Sequence, residues 1–142
     1  MKLNTKLLLL PCLFFLVFFF TAVNSPAGEQ IKTAVFAGGC FWCMEADFEK
    51  VPGIIEVVSG YTGGTSSNPN YNNYGKSGHI EAVRIEYEPS VINYRQLLDI
   101  LWVNIDPTDK DGQFCDRGHE YSSAVFYLTK EQQKLAAASK TL

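Results

Sequence analysis

The chain has 142 residues, enough for one small domain, and its 12 basic and 15 acidic side chains give it a net charge of −3. An acidic domain lacks the positive surface that attracts nucleic acid or anionic lipid, so the charge argues against both partners. A small-molecule or protein substrate is favoured instead.

The first 28 residues predict a secretory signal or an uncleaved N-terminal anchor, ahead of a domain over residues 29–142. Two lysines precede an apolar run from Leu7 to Val23, and small residues follow as far as Ala27, after which cleavage is expected. We therefore expect an exported protein, either periplasmic (or otherwise extracytoplasmic) or secreted. It stays on the membrane only if this segment is uncleaved. The remaining chain has 10 basic and 15 acidic residues, a net charge of −5.

The first half of the domain predicts strand, helix, strand and a long loop. A short apolar run over 33–37 ends at two glycines and predicts a buried strand. Residues 41–50 predict a helix that ends before Pro-Gly, and 54–61 predict a second strand. Residues 62–78 are rich in Gly, Ser and Asn and predict a loop. Long loops in compact domains are typically functional.

The second half repeats this alternation. Residues 79–87 predict a third strand, and a capping box at Asn93–Gln96 begins a second helix. A polar loop over 106–120 leads to a fourth strand over 121–128, and a final helix follows Thr129. The order β-α-β-β-α-β with a trailing helix predicts an α+β fold. We expect a two-layer sandwich whose mixed-sheet core has the split βαβ, ferredoxin-like arrangement.

Three cysteines follow the predicted signal: Cys40, Cys43 and Cys115. An odd number in an exported domain leaves at least one thiol outside any internal disulfide. Cys40 follows two glycines at the junction of a strand and a helix. A helix N-terminus stabilises a thiolate, so this position favours a reactive thiol over a small buried apolar residue.

The spacing of Cys40 and Cys43 also suits thiol–disulfide exchange of the thioredoxin kind. A zinc site needs four ligands, which the three cysteines and two histidines, His79 and His119, barely supply. We therefore expect no metal, although a zinc-binding module is a third possibility. Nucleophilic or redox use of Cys40 is favoured.

Other side chains offer what a nucleophilic cysteine needs. Phe41 and Trp42 are candidates for an apolar wall, although either residue also suits an ordinary core. Glu81 is the carboxylate most suited to acid catalysis, because aromatic surroundings raise the pKa of a carboxyl group. Taken alone, an acidic strand residue more often faces solvent. The two loops add groups that can converge on an oxygen atom: Tyr71, Tyr74, Asp116 and Tyr121.

Four segments, in this order and spacing, resemble the peptide methionine sulfoxide reductases of the A type. They read GGCFWCMEADFEKVPGI, SGYTGGTSSNPNY, SGHIEAVRIEYEPS and DRGHEYSSAVFY. The resemblance covers roughly residues 33–140, and it implies an α+β two-layer fold. It also implies an enzyme that repairs oxidised proteins by reducing the S epimer of methionine sulfoxide, one enzyme serving each epimer.

The resemblance further implies a role for each site residue. Cys40 attacks the sulfoxide sulfur and becomes a sulfenic acid, while Glu81 protonates the oxygen so that it can leave as water. The remaining roles are as follows: Tyr71 and Tyr121 hydrogen-bond that oxygen, Asp116 organises the site, and Phe41 and Trp42 form the methyl pocket.

A second thiol then resolves the sulfenic acid, and a thioredoxin-like donor or another dithiol reduces the disulfide. We expect Cys43 or Cys115 to resolve it, no bound cofactor, and a monomer. Relatives usually continue past the last helix with a segment that closes the site, whereas this sequence stops at Leu142. We therefore expect that C-terminal segment to be missing, and weak or no turnover by residues 29–142.

Overall fold

The structure, a computed structural model, describes residues 30–140; the predicted signal or anchor lies outside them. The strands are β1 Lys32–Ala37, β2 Ile54–Thr62, β3 Ile80–Tyr87, β4 Gly112–Gln113, β5 Asp116–Arg117 and β6 Ala124–Phe126. The helices are α1 Phe41–Phe48, α2 Tyr94–Asn104 and α3 Lys130–Ser139. The predicted α+β class is confirmed.

Four strands form one sheet in the order β2-β3-β1-β6, and each neighbouring pair is antiparallel. The expectation of a mixed sheet is therefore wrong. The strands that α1 connects, β1 and β2, run in the same direction but do not pair, because β3 lies between them. Inserting an antiparallel strand into the βαβ unit removes the parallel ladder.

The two-residue period of β3 divides its side chains between the two faces of the sheet. Val83, Ile85 and Tyr87 join the main core beneath the helices, whereas Ile80 and Ala82 belong to a smaller cluster. Glu81 lies two residues before Val83, so its side chain is on the same face of the sheet, the one that the helices cover.

The helices cover this face with their apolar residues. Each contributes buried side chains to the main core: Phe41, Met44 and Phe48 from α1, Leu97, Leu98 and Leu101 from α2, and Ala136 from α3. The predicted capping box begins α2, where Asn93 and Gln96 exchange backbone and side-chain hydrogen bonds of 2.9 and 3.0 Å. Within the described range, none of the helices has the length and apolar character needed to cross a membrane.

The fourth predicted strand, over 121–128, is shorter than expected. Only Ala124–Phe126 pairs; β1 ends at Ala37, opposite Ala124, so residues 121–123 have no partner in that strand. Tyr121 lies in a 3-10 turn, where its N–H donates to the Gly118 carbonyl at 3.1 Å. The preceding loop, predicted to be irregular, contains the β4–β5 hairpin.

The Tyr94 hydroxyl is the buried side-chain polar atom in residues 30–140 that finds no hydrogen-bond partner. An unpaired buried hydroxyl costs about 1–3 kcal/mol, so Tyr94→Phe is expected to stabilise the fold by about 1 kcal/mol. Thermal unfolding at pH 7 measures this. Tyr87→Phe is the control, because the equally buried Tyr87 bonds to Gln132 and its loss destabilises the fold.

Alkaline unfolding gives a second readout of the same pair of variants. Burial raises the pKa of Tyr94 from 10.0 to about 12. The native state therefore holds this proton more tightly than the unfolded chain does. The resulting stability is complete below pH 10 and is lost between pH 10 and pH 12. Tyr94→Phe removes this part of the loss; an unchanged alkaline slope together with unchanged stability at pH 7 contradicts the assignment.

Candidate active site

The junction between β1 and α1 holds Cys40 in a tightly packed turn. Gly39 has φ +87°, and a Cβ atom there would lie 2.8 Å from the Cβ of Gln113. A Cβ atom on Gly38 would lie 2.7 Å from Ile105. The two glycines thus allow the backbone to approach neighbouring segments closely. Cys40 follows as the half-buried N-cap residue of α1.

Cys43 lies one helical turn from Cys40, on the same side of α1. The backbone N–H of Cys43 donates to the Cys40 carbonyl at 3.1 Å. A hydrogen bond with the Cys40 side chain raises the pKa of the Cys43 thiol, and burial and the charges of Cys40, Asp116 and Asp47 add to this effect. Cys43 therefore stays protonated near neutral pH and lies beside Cys40.

A cavity of about 310 Å³ opens beside the two thiols. Cys40, Cys43 and Asp116 are among its lining residues, and Cys115 is not. Cys115 lies at the exposed tip of the β4–β5 hairpin, directly after Phe114, which has φ +52°. The structure thus brings one of the two predicted resolving cysteines next to Cys40 and places the other outside the cavity.

Glu81 is almost completely buried, with 2% of its surface exposed, although an acidic strand residue taken alone more often faces solvent. Its Oε2 accepts a 2.8 Å hydrogen bond from the backbone N–H of Phe41, in the first turn of α1. Its Oε1 accepts a 2.6 Å hydrogen bond from the hydroxyl of Tyr74. A buried carboxyl group needs such partners. Both carboxyl oxygens of Glu81 are thus held in place, one of them by the residue that follows Cys40.

Aromatic rings enclose this carboxyl group and continue to the surface. Tyr61, opposite Glu81 in the β2–β3 ladder, stacks on Tyr74 with ring centroids 4.5 Å apart. Trp42 and Tyr71 stack at 5.7 Å with an interplanar angle of 15°. They are 59% and 55% exposed, so they form an open aromatic surface. Phe41, by contrast, is part of the main core.

The loop over 62–78 is held against β3 by His79. The Gly64 N–H donates to Nδ1 of this buried ring at 3.2 Å, and Nε2 lies 3.0 Å from the Ser66 carbonyl oxygen. A neutral imidazole that accepts at Nδ1 and donates at Nε2 satisfies both contacts. The Thr65 N–H also donates to the Ser77 carbonyl at 3.0 Å. Both ends of the loop that carries Tyr71 and Tyr74 are therefore fixed.

Asp116 and Tyr121 reach the site from the second loop. Gln113, 1% exposed, fixes this loop by exchanging two 2.7 Å hydrogen bonds with the backbone of Asp106. The Tyr121 hydroxyl is within hydrogen-bonding reach of Tyr74. That bond lowers the pKa of Tyr121, but burial and the charges of Glu81 and Asp116 outweigh it and raise the value overall.

Sequence reasoning grouped Tyr74 with the other loop hydroxyls but gave it no role. The structure places it against Glu81 and leaves Tyr71 stacked on Trp42 instead. The available signal was the spacing of Tyr71 and Tyr74, the two tyrosines of a loop otherwise made of small and polar residues. Gln113 and His79 were also missed as supports of the loops. Each packs closely on a glycine, Gln113 on Gly39 and His79 on Gly64, where an added Cβ atom would clash with it.

The zinc alternative finds little support in this geometry. Among residues 30–140, no group of three or more His, Cys, Asp or Glu side chains is arranged to hold a metal ion. His79 is also unavailable as a zinc ligand, because both of its ring nitrogens are hydrogen-bonded to backbone groups.

Comparison with known proteins identifies the family. The family model described as "Peptide methionine sulfoxide reductase" matches residues 32–142. A Rhizobium meliloti protein named peptide methionine sulfoxide reductase MsrA 2 is 48% identical over 126 residues, covering 89% of this chain and 63% of the relative. The Bacillus subtilis protein named MsrA is 52% identical over 114 residues, covering 79% of this chain and 64% of the relative.

A solved structure agrees with these sequence relatives. The reduced form of Mxr1 from Saccharomyces cerevisiae superposes with a TM-score of 0.74 at 29% identity, covering 79% of this chain and 67% of that one. The chain spans less than two thirds of the length of the two curated relatives. The match of nearly the whole described region nevertheless confirms the resemblance: this chain belongs to the peptide methionine sulfoxide reductase family.

Proposed function

We propose that this chain reduces the S epimer of methionine sulfoxide, free or within oxidised proteins, to methionine. The observation that carries the proposal is the buried carboxyl group of Glu81, bonded to the N–H of Phe41 directly after Cys40. The acid is thus bonded to the first turn of the helix that begins at the proposed nucleophile. Such pre-positioning is how a site accelerates a two-group reaction.

The first step forms a bond between the Cys40 sulfur and the sulfoxide sulfur. Glu81 donates its proton to the sulfoxide oxygen, which otherwise is a poor leaving group. The S–O bond and the bond between the two sulfur atoms then break as the hydroxyl passes to the Cys40 sulfur. The sulfoxide is reduced to methionine, and the Cys40 thiolate is oxidised to a sulfenic acid. Glu81 is left as a carboxylate.

The second step is assigned to Cys43. Its thiol attacks the sulfenic sulfur of Cys40, forms a disulfide and releases the oxygen as water. The interaction of the two thiols and their shared cavity favour this residue over Cys115. A dithiol donor then reduces the disulfide. Because the yeast protein Mxr1 was solved in complex with Trx2, we propose a thioredoxin-like donor and no bound cofactor for this chain.

The substrate is expected to approach over the aromatic surface of Trp42 and Tyr71. Their exposed rings suit the S-methyl group and the flanking peptide, and the phenol of Tyr71 joins that of Tyr121 in holding the sulfoxide oxygen. Asp116, at the rim of the thiol cavity, organises the site. Phe41 forms the inner wall beneath Trp42.

The proposal includes the setting of the enzyme. An exported monomer, released or held by its N-terminal segment, would repair proteins outside the cytoplasm. The strand order β2-β3-β1-β6, with α1 and α2 on one face, supports a split βαβ, ferredoxin-like core.

The test offers the full chain both epimers of a methionine sulfoxide peptide with excess dithiothreitol. We expect methionine from the S epimer and none from the R epimer, as measured by chromatography. Equal consumption of both epimers, or none of the S epimer by protein whose Cys40 thiol titrates as free, contradicts the proposal.

A second candidate is a general thiol–disulfide oxidoreductase, which the contact between Cys40 and Cys43 favours. This activity needs no acid for a sulfoxide oxygen. It therefore predicts exchange with disulfides of unrelated peptides that does not depend on Glu81, and the Glu81→Gln variant separates the two functions.

A further inference from the structure

Burial of the acid raises a question that the proposed function leaves open. Each turnover leaves Glu81 as a carboxylate that must recover a proton before the next sulfoxide reacts. With 2% of its surface exposed, the side chain has almost no contact with bulk water. Its Oε2 faces the Phe41 N–H, which cannot give up a proton. The proton must arrive at Oε1.

Tyr74 occupies that position. Its hydroxyl donates to Oε1 at 2.6 Å, and its side chain is 6% exposed. Burial and the bond to Glu81 raise the pKa of Tyr74, so the phenol stays protonated near neutral pH. A phenol in this state transfers a proton by giving its own to Glu81 while accepting another at the same oxygen.

The second proton comes from the cavity beside Tyr74. The proton of Tyr74 is committed to Glu81, so its oxygen accepts the second proton from the cavity side. Tyr121 is only half-buried. Both tyrosines line a surface cavity of about 450 Å³ whose rim includes Lys76 and Glu120, polar side chains that keep it hydrated.

We propose that Tyr74 is a positioning residue through which Glu81 is reprotonated, by a relay from this cavity through the Tyr74 hydroxyl to Oε1. The proposal rests on the proposed function. In each cycle one proton passes from the cavity to the Tyr74 oxygen, and one passes from Tyr74 to Glu81. No group in the relay keeps a net charge.

The test compares Tyr74→Phe with Tyr61→Phe in the full chain with excess dithiothreitol. Tyr74→Phe keeps the ring that stacks on Tyr61 and removes only the hydroxyl. Because the relay acts only after a proton has been delivered to substrate, the first methionine per chain is expected at the wild-type rate. Later turnovers slow by about tenfold or more, a loss at the low end of general-acid effects, with KM unchanged.

A small acid supplies the missing proton, so raising the imidazole buffer concentration at constant pH restores steady-state turnover of Tyr74→Phe. Neither Tyr61→Phe nor the wild type shows this buffer dependence. Equal slowing of the first and later turnovers, or no rescue by buffer, overturns the relay while leaving the proposed function intact. Absence of methionine from the wild-type chain defeats the proposed function itself.

A measurement on the wild type covers the case in which Tyr74→Phe fails to fold. At pH 8, where protons are scarce, steady-state turnover is followed in mixtures of light and heavy water. A relay that moves several protons together gives a curved dependence on the deuterium fraction. A straight line indicates transfer of a single proton and overturns the proposal.

Discussion

Glu81→Gln is expected to lower kcat for methionine sulfoxide by about 100-fold or more, the effect of losing a positioned general acid. The amide has no proton to give to the sulfoxide oxygen, so that oxygen leaves poorly and the attack of Cys40 stalls. KM is expected to change little, because the buried carboxyl group adds to binding mainly in the transition state. Steady-state kinetics with an S-sulfoxide peptide measure both constants.

The substitution is expected to preserve the fold. The amide oxygen of glutamine accepts from the Phe41 N–H as Oε2 does, and the Tyr74 hydroxyl rotates to accept from the amide nitrogen. A melting temperature of Glu81→Gln equal to that of the wild type confirms that the fold is preserved. Glu86→Gln, in the same strand and paired with Arg84 on the partly exposed face, is the control, with wild-type kinetics expected.

Two further outcomes decide between the candidate functions. Wild-type kcat in Glu81→Gln contradicts an acid role. Exchange with an unrelated peptide disulfide is expected to be the same in Glu81→Gln and the wild type, because that reaction needs only the two cysteines. If the wild type performs this exchange and reduces no sulfoxide, the hypothesis of a general thiol–disulfide oxidoreductase replaces that of a methionine sulfoxide reductase.

Cys43→Ser is expected to stop the enzyme after one methionine per chain when a thioredoxin-like protein is the electron donor. The sulfenic acid on Cys40 then has no neighbouring thiol, and a protein disulfide reductase needs a disulfide to attack. Cys115→Ser is the matched control. Its thiol lies at the hairpin tip, outside the cavity that holds Cys40, and continuous turnover is expected.

Mass spectrometry identifies the oxidised products. After one equivalent of sulfoxide, peptides of the wild type and of Cys115→Ser are expected to contain a Cys40–Cys43 disulfide. In Cys43→Ser the Cys40 peptide is expected to react with dimedone, which labels sulfenic acids. A Cys40–Cys115 disulfide in the wild type, or continuous turnover of Cys43→Ser, assigns resolution elsewhere.

The fold followed from the sequence wherever local chemistry decides the structure. The capping box at Asn93, the glycine-terminated β1 and the three apolar helix faces were predictable, because each depends on residues near in sequence. The antiparallel pairing of β3 between β1 and β2 was not, because strand order is set by long-range packing. The start of β6 likewise depends on where its partner β1 ends.

The site divides in the same way. Cys40 and Cys43 were identified by their position at a strand–helix junction, a local feature. The burial of Glu81 depends on the register of β3, which turns its side chain toward α1. It also depends on the hydroxyl of Tyr74, seven residues earlier. The contact of Tyr74 with Glu81 depends on how the polar loop over 62–78 folds back onto β3. Turn chemistry alone does not fix such a path.

The hydrogen bonds of His79 to this loop decide whether the entropy cost of ordering the loop falls on folding or on substrate binding. Ordering the backbone of one residue costs about 1–2 kcal/mol of conformational entropy. Because Gly64 and Ser66 are bonded to the imidazole before any substrate arrives, that cost belongs to folding and not to binding. Substrate therefore binds to a loop that is already ordered. Its contacts with the exposed rings contribute to affinity without being offset by the entropy cost of ordering the chain.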